Sequence, residues 1–241
     1  MNLERLQKYL SRMGLCSRRQ GEEWIKAGRV SVNNQVVTIL GTKIDAERDV
    51  VWVDGRLVKP VAPPITVMLH KPYGYVSSSA DPQGRRVVTE LVDEELRRLY
   101  LVGRLDYDAT GLMLLTNDGE LAFRLMHPSY QVPRVYRVTV AGEVAPETIK
   151  LLAAGVIVHG RAVPAEVAVV KQEVNKTVVE LTVREGRYHL VKRIMEQVGH
   201  SVLKLKRLAF GPLKLGMLPR GAYRHLSAEE LEAVKAEVGL K

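Results

Sequence analysis

Apolar residues near the N-terminus recur at helical spacing. Leu3, Leu6 and Leu10 fall on one face of a helix, which predicts a short amphipathic helix. Ser17 precedes Gln20 by three residues, the spacing of a capping box, and predicts the start of a second helix. The chain is therefore expected to open with two consecutive helices.

The pattern then changes to alternation of apolar and polar residues, which is typical of strands. Val30 and Val32 precede the turn dipeptide Asn33-Asn34, and Val51 to Leu57 surrounds Asp54-Gly55. Two short hairpins are expected here. Residues 1–60 are predicted to form a small module of two helices followed by strands.

Residues 59–64 contain three prolines, which can neither continue a helix nor occupy a central strand. They predict a linker, with a second domain at residues 65–241. Strands of that domain are predicted at residues 65–69, 134–140, 156–158, 165–170 and 177–183. Helices are predicted at residues 93–99, 120–126, 146–154, 188–198 and 228–238. Because strands and helices do not alternate regularly, the fold class is predicted to be α+β, with a central, mainly antiparallel mixed sheet.

Composition narrows the class of protein. Hydrophobic residues make up 46% of the 241, enough for a sizeable core, but no apolar run reaches membrane-spanning length. The first residues lack the apolar stretch of a signal peptide, so a cytoplasmic protein is expected. The single cysteine, Cys16, excludes an intramolecular disulfide and argues against a cysteine-based metal site.

The formal net charge of +9 points to nucleic acid as partner, ahead of an anionic membrane surface. The basic residues concentrate in two segments: Arg5, Lys8, Arg12, Arg18, Arg19, Lys26 and Arg29, and then Arg184, Arg187, Lys192, Arg193, Lys204, Lys206 and Arg207. Basic residues clustered in this way indicate surfaces that bind an RNA backbone rather than ordinary solvent-exposed faces. Phe and Trp occur only twice each, and Trp24 is assigned to the core. We therefore expect structured RNA to be read by shape and backbone.

The densest chemical signal lies at residues 103–119. Gly103 and Gly111 bracket a loop that leads into the apolar run 112–115, so the carboxylate of Asp106 is expected in a tight loop beside a buried strand. Asp118 is predicted to cap a helix. Asp106 alone is compatible with an ordinary turn aspartate. With Asp108 it suggests a metal pair, but no further cluster has ligand spacing, so no metal is expected.

This segment resembles the catalytic motif GRLDxxTxGLLLLTNDG of RsuA/RluB-type pseudouridine synthases, and the family's catalytic aspartate falls on Asp106. Met113 replaces a leucine, and Ala109 stands at the usual threonine. Residues 70–78 resemble the family's KPxGxxxS stretch. Residues 134–138 resemble KxYxV, and residues 185–195 resemble EGxxxQVKRM. Residues 1–60 resemble a small RNA-binding domain named after a protein of the ribosomal small subunit.

The resemblance implies roles for individual residues. Asp106 would act as the catalytic carboxylate, attacking covalently or removing a proton at the sugar. Lys192 would pair with it and keep it ionised, and Tyr136 would stack on a flipped uracil. No cofactor is implied. The residues assigned to RNA binding are Arg5, Arg12, Arg18, Arg19, Lys26, Arg29, Lys71, Arg104, Arg187 and Arg193.

The resulting hypothesis is a monomeric enzyme, not bound to membranes, that isomerises a uridine in ribosomal RNA to pseudouridine. Residues 81–89 resemble the RluB-like branch, which implies large-subunit (23S) rRNA. Three alternatives remain open at this point. They are a small-subunit (16S) rRNA pseudouridine synthase, a non-catalytic ribosome-binding protein, and a metal-dependent RNA hydrolase using Asp106 and Asp108. Mapping pseudouridine in treated rRNA, and testing a chelator, would separate them.

Overall fold

The structure is a computed structural model that describes residues 3–59 and 63–240. The chain divides into two compact units, Met1–Pro64 and Ile65–Lys241. Residues 60–62 of the predicted linker lie outside the described residues. Each unit has its own hydrophobic core.

The N-terminal unit consists of two short helices with small strands around them. Its elements are β1 (Leu3–Arg5), α1 (Leu6–Arg12), α2 (Arg18–Lys26), β2 (Val30–Val32), β3 (Gln35–Val36), β4 (Lys43–Asp45), β5 (Val51–Val53) and β6 (Arg56–Leu57). Leu6, Leu10 and Ile25 are buried between the helices and the strands. The prediction that Leu3 belongs to the first helix is wrong, because Leu3 pairs with Asp45 in an antiparallel ribbon.

Local signals in this unit behave as the sequence predicts. The Ser17 hydroxyl accepts a hydrogen bond from the Gln20 backbone N–H (3.2 Å) at the start of α2, which confirms the cap. Asn33 and Asn34 both adopt positive φ between β2 and β3, and Asp54 and Gly55 do so between β5 and β6. Both predicted hairpins are therefore present.

The second unit is larger. Its elements are β7 (Thr66–Lys71), β8 (Tyr100–Val102), β9 (Thr110–Thr116), α3 (Gly119–Met126), β10 (Arg134–Ala141), α4 (Pro146–Ala154), β11 (Val156–Val158), β12 (Arg161–Val163), β13 (Glu166–Glu173), β14 (Lys176–Val183), α5 (Leu190–Gln197), β15 (Val202–Phe210), β16 (Leu213–Lys214), β17 (Tyr223–His225) and α6 (Ala228–Glu237). Asp118 caps α3 by accepting from the N–H groups of Glu120 and Leu121, as predicted.

One predicted helix is shorter and tighter than expected. Residues 93–99 form only a 3₁₀ helix, Glu94–Arg98. Asp93 does not cap it, since its carboxylate accepts a hydrogen bond from the Tyr223 hydroxyl instead. A single tight turn is enough to bury Leu96.

The sheet of this unit has the order β13-β14-β10-β15-β9-β7-β17, with β16 added to β15 and β8 to β9. Every pairing in it is antiparallel except β9 with β15, which run parallel through Thr110 and Gly111. The predicted α+β fold with a mainly antiparallel mixed sheet is confirmed.

Both faces of the sheet are covered. Along β9, Met113 and Leu115 pack into the core cluster that includes α5, while Leu112 and Leu114 pack into the cluster under α3 and α6. This two-residue period explains why the whole strand is apolar. Because β9 is buried on both sides, the loop before it is attached to a rigid strand.

Candidate active site

Asp106 lies in the loop between β8 and β9. The Ala109 N–H donates to the carbonyl of Asp106 (3.1 Å), which closes a tight turn. On the other side, the Ser77 hydroxyl accepts from the Leu105 N–H (3.0 Å) and donates to the Leu105 carbonyl (2.5 Å). The backbone is therefore held on both sides of the carboxylate, whose side chain is 22% exposed.

Two cationic or protonatable side chains approach the Asp106 carboxylate from the start of α5. Lys192 Nζ lies 3.5 Å from Oδ2, and His189 Nε2 lies 3.4 Å from Oδ1. The structure thus brings Asp106 and Lys192 together, as the resemblance implies. Sequence reasoning missed His189. Its position inside the matched stretch 185–195 was the available signal.

Lys192 makes its shortest contacts with a second carboxylate. Its Nζ donates to both oxygens of Asp108, at 2.7 and 2.8 Å. Partial burial lowers the pKa of Lys192, but the contacts with Asp108 and Asp106 outweigh it and the pKa is raised. Burial likewise raises the pKa of Asp108, yet the hydrogen bond from Lys192 leaves it lowered. The ammonium is therefore held as a cation between two aspartates.

Asp106 opens into a cavity of about 450 Å³, a volume suited to a small ligand or one nucleotide. Tyr136 lines the same cavity from β10, and its side chain is buried within the wall. Its strand lies between β14 and β15, so the ring position is set by pairing on both sides. Tyr136, expected to stack on the uracil, and Asp106, expected to act as the catalytic carboxylate, therefore line the same cavity.

Two buried arginines, Arg134 and Arg207, form part of the cavity lining. Arg134 donates to the carbonyls of Val132 and Leu125 (both 3.0 Å), and Arg207 donates to the Leu112 carbonyl (2.6 Å). Both guanidinium groups lie against the Phe210 ring, 4.9 and 5.0 Å from its centroid. Burial lowers the pKa of Arg134. These side chains brace backbone carbonyls rather than meeting solvent.

The predicted RNA-binding residues near the cavity occupy different environments. Arg104 is exposed and lines the cavity. Arg187, also a lining residue, is half-buried, donating to the Val158 carbonyl (3.1 Å) and to Glu185 (2.6 Å). The guanidinium of Arg193 lies over the Tyr188 ring, 5.3 Å from its centroid. Of the three, Arg104 is the most accessible to a phosphate.

The burial of Lys71 contradicts the RNA-binding role predicted for this residue. Its side chain is 0% exposed, and its amine donates to the carbonyls of Ala109 (2.8 Å), Pro72 (3.1 Å) and Tyr107 (3.4 Å). Burial lowers its pKa to about 8, against the opposing attraction of Asp106 and Asp108. An enclosed amine cannot contact a phosphate, and its hydrogen bonds connect Lys71 to the loop that carries Asp106.

The predicted RNA-binding residues of the N-terminal unit differ in how far they are engaged by other side chains. Arg5, Arg18, Arg19 and Lys26 are exposed. Arg12 forms an ion pair with Glu4, and Arg29 binds the Asp54 carboxylate and lies 4.8 Å from the Trp24 centroid. Trp24 itself packs partly buried against the core of the unit, as expected. These four predicted RNA-binding side chains therefore present their charge to solvent.

Within residues 3–59 and 63–240, no three His, Cys, Asp or Glu side chains gather in a way that would hold a metal ion. Asp108, the second member of the suggested metal pair, is engaged by Lys192. No helix in the described part of the chain combines the length and apolar character needed to cross a membrane.

Comparison with known proteins agrees with this geometry. The family model described as "RNA pseudouridylate synthase" matches residues 65–197, and the model described as "S4 domain" matches residues 4–51. An "Uncharacterized RNA pseudouridine synthase" of Aquifex aeolicus is 44% identical over 98% of this chain and 96% of its own length. "Ribosomal large subunit pseudouridine synthase B" of Bacillus subtilis is 40% identical over 97% and 96%.

A solved structure shows the same likeness in three dimensions. It is titled "Crystal structure of pseudouridylate synthase", and matches with a TM-score of 0.70 and 32% identity, over 95% of this chain and 99% of that one. The family model covers more than half of the chain, and the relatives extend over nearly all of it. The resemblance stated from the motifs is confirmed: this chain belongs to the RNA pseudouridylate synthase family and carries an S4 domain at its N-terminal end.

Proposed function

We propose that this protein isomerises a specific uridine of large-subunit (23S) ribosomal RNA to pseudouridine, with Asp106 as the catalytic carboxylate. The observation that carries the proposal is the placement of Asp106 on a braced turn, at a cavity shared with Tyr136 and 3.5 Å from Lys192. The choice of large-subunit rRNA is supported by the name of the Bacillus subtilis relative.

The reaction breaks the bond between C1′ of the ribose and N1 of uracil, turns the base, and joins C1′ to C5. The proton lost from C5 is balanced by one gained at N1, so no oxidant, reductant or energy source is needed. A carboxylate at this position serves either route, attack on the substrate or removal of a sugar proton. Lys192, fixed by Asp108, holds the Asp106 carboxylate in place through the reaction.

The target base must leave its stack to enter a cavity of this size. Tyr136 offers a ring on which the uracil can stack, and Arg104 on the rim can hold a neighbouring phosphate. Arg187 and Arg193 extend the positive charge along the start of α5. In the N-terminal unit, Arg5, Arg18, Arg19 and Lys26 supply sequence-independent contacts to the RNA backbone.

The decisive experiment compares wild type with Asp106→Asn on transcripts of both ribosomal RNAs and on precursor particles. We expect wild type to form pseudouridine in large-subunit RNA, and the variant to lose on the order of 10³-fold or more in rate while keeping its RNA affinity. Mapping rRNA from a deletion strain identifies the position. An active Asp106→Asn protein would remove the carboxylate from the mechanism.

The same assay separates the alternatives. Pseudouridine formed only in small-subunit RNA would show that small-subunit rRNA is the substrate. Binding without pseudouridine in any RNA would favour a non-catalytic ribosome-binding protein. A metal-dependent hydrolase would cleave RNA and stop with a chelator, whereas we expect EDTA to leave the rate unchanged. We also propose that the protein acts as a cytoplasmic monomer, which light scattering of the purified chain and fractionation of cells would test.

A further inference from the structure

Two large aromatic side chains lie exposed beside the loop that carries Asp106. Tyr73 is 65% exposed and Tyr107 is 46% exposed. Their ring centroids are 6.0 Å apart, with an interplanar angle of 59°. Two adjacent exposed rings offer flat apolar faces that an aromatic ligand can cover.

The backbone beneath both rings is tied down. The Gly74 N–H donates to the carbonyl of Tyr107 (2.9 Å), which joins the loop after β7 to the catalytic loop. The buried amine of Lys71 donates to the Pro72 carbonyl in the first of these loops and to the Tyr107 and Ala109 carbonyls in the second. Each tyrosine has only two side-chain torsions to fix, so little conformational entropy is lost when a ligand covers the pair.

Neither tyrosine is prescribed by the family motifs. Tyr73 falls on the first open position of KPxGxxxS, and Tyr107 falls on the open position directly after the aspartate in GRLDxxT. The motifs leave the residue type at both positions open. Open positions next to a catalytic group are where substrate selection can vary without disturbing the chemistry.

We propose that Tyr73 and Tyr107 form a stacking platform for an unpaired nucleobase of the RNA, the one that flanks the flipped uridine. The platform rests on the proposed function. Tyr107 follows Asp106 directly in the same loop, and neither tyrosine lines the cavity. The platform would therefore hold a base outside the cavity, next to the nucleotide whose uracil enters it. Exposed aromatic rings recognise single-stranded RNA by stacking on its bases.

The platform changes the expected mode of recognition. With few Phe and Trp residues, the composition predicts recognition of RNA by shape and backbone, but the chain also has nine tyrosines, whose rings can stack on bases. A platform beside the catalytic turn requires that the neighbour of the target uridine be unpaired. Hairpin loops and bulges satisfy this requirement and continuous duplexes do not.

The test measures stacking without catalysis. Hairpin RNAs carry a uridine in the loop, flanked by 2-aminopurine or by an abasic residue, and bind to Asp106→Asn protein. We expect quenching of the 2-aminopurine fluorescence, and about tenfold weaker binding of the abasic RNA. Adding Tyr107→Ala or Tyr73→Ala is expected to reduce the quenching and make the two RNAs bind alike. Tyr107→Phe, which keeps the ring, should retain most of both effects.

Phe123→Ala provides a matched control. Phe123 is 49% exposed and, like the two tyrosines, does not line the cavity, but it lies on α3 rather than in the loops beside Asp106. Its ring contacts His127, with 5.0 Å between ring centroids. We expect this variant to behave like its parent. If Tyr107→Ala weakens abasic and 2-aminopurine RNA equally, or if quenching persists in both alanine variants, the platform is overturned. Absence of pseudouridine formation by wild type would instead defeat the proposed function, and this binding assay would still give its own answer.

Discussion

Lys192 shows how one side chain can serve two carboxylates. It binds Asp108 with both hydrogen bonds under 3 Å and lies farther from Asp106, at 3.5 Å. Asp108 therefore fixes the ammonium, and the ammonium in turn faces the carboxylate proposed to react. We therefore expect Asp108 to position Lys192, whereas the sequence suggests Asp108 only as half of a metal pair.

Replacing Asp108 with Asn should loosen Lys192 while leaving the charge of Asp106 in place. We expect kcat to fall by roughly tenfold, less than the loss in Lys192→Met, with KM for RNA changed little. The pKa of Asp108 is lowered in the folded protein. Its pairing with Lys192 therefore contributes its full stabilisation above the unfolded pKa of about 3.9, and this stabilisation is lost as the pH falls through the folded pKa. Kinetics and urea unfolding of both variants at several pH values measure this. An unchanged kcat in Asp108→Asn would contradict the positioning role.

Lys71 makes a second prediction at the residue scale. Its folded pKa is about 8, whereas an unfolded lysine has a pKa of about 10.4. Between these values the unfolded chain binds a proton that the folded chain does not, so stability should rise with pH across that window. Lys71→Met is expected to lack this rise, and to be destabilised because three carbonyls lose their donor. Urea unfolding from pH 7 to 10.5 compares the two slopes, and equal slopes would show that Lys71 does not titrate there.

At the scale of elements, the parallel contact between β9 and β15 decides where the catalytic loop enters the sheet. Gly111 stands opposite Arg207 in this pair, with φ of +115°. A Cβ on Gly111 would lie 2.3 Å from the Arg207 carbonyl oxygen and 2.5 Å from its nitrogen. The two backbones approach each other this closely only because residue 111 lacks a side chain.

Gly111→Ala is therefore expected to destabilise the protein by about 3 kcal/mol or more, since both the contact and the backbone conformation oppose it. Gly119→Ala is the matched control, because Gly119 begins α3 and no atom beyond its chain neighbours and its own helix backbone lies within 4 Å of the added Cβ. That change should stay within about 0.5 kcal/mol of wild type or stabilise slightly. Urea denaturation monitored by circular dichroism gives both values. Equal stabilities for the two variants would refute the close-approach argument.

At the scale of the whole molecule, charge is the property that selects the class of partner. The chain carries a formal charge of +9, yet some of the cations predicted to contact RNA are already paired with carboxylates of the protein. Arg29 is held by Asp54 and Arg12 by Glu4, whereas Arg18 and Arg19 at the start of α2 are exposed. The net charge thus predicts RNA-binding residues less well than the exposure and ion pairing of each cation does.

The double variant Arg18→Gln/Arg19→Gln should bind RNA more weakly and with less salt dependence. We expect the slope of log K against log salt to fall by roughly 1.5, because each phosphate contact contributes about 0.7 to 0.9. Arg29→Gln is the comparison, and its effect should be smaller since its guanidinium is already paired with Asp54. Filter binding between 50 and 300 mM KCl gives the slopes. A larger effect from Arg29→Gln would reverse the assignment.

Sequence alone determined the features that depend on neighbours along the chain. Caps at Ser17 and Asp118, the hairpin turns and the apolar run of β9 follow from local hydrogen bonding and side-chain periodicity. The motif around Asp106 also marked the correct family, because its residues are contiguous. These interactions span a few residues and need no knowledge of the fold.

Only the tertiary structure decided which distant residues meet. His189 reaches Asp106, Asp108 takes the closest contact with Lys192, and Lys71 turns inward to backbone carbonyls instead of outward to RNA. These outcomes depend on the parallel pairing of β9 with β15, which aligns segments almost a hundred residues apart. Burial and long-range charge pairing arise from that packing, and the residue types along the chain do not specify them.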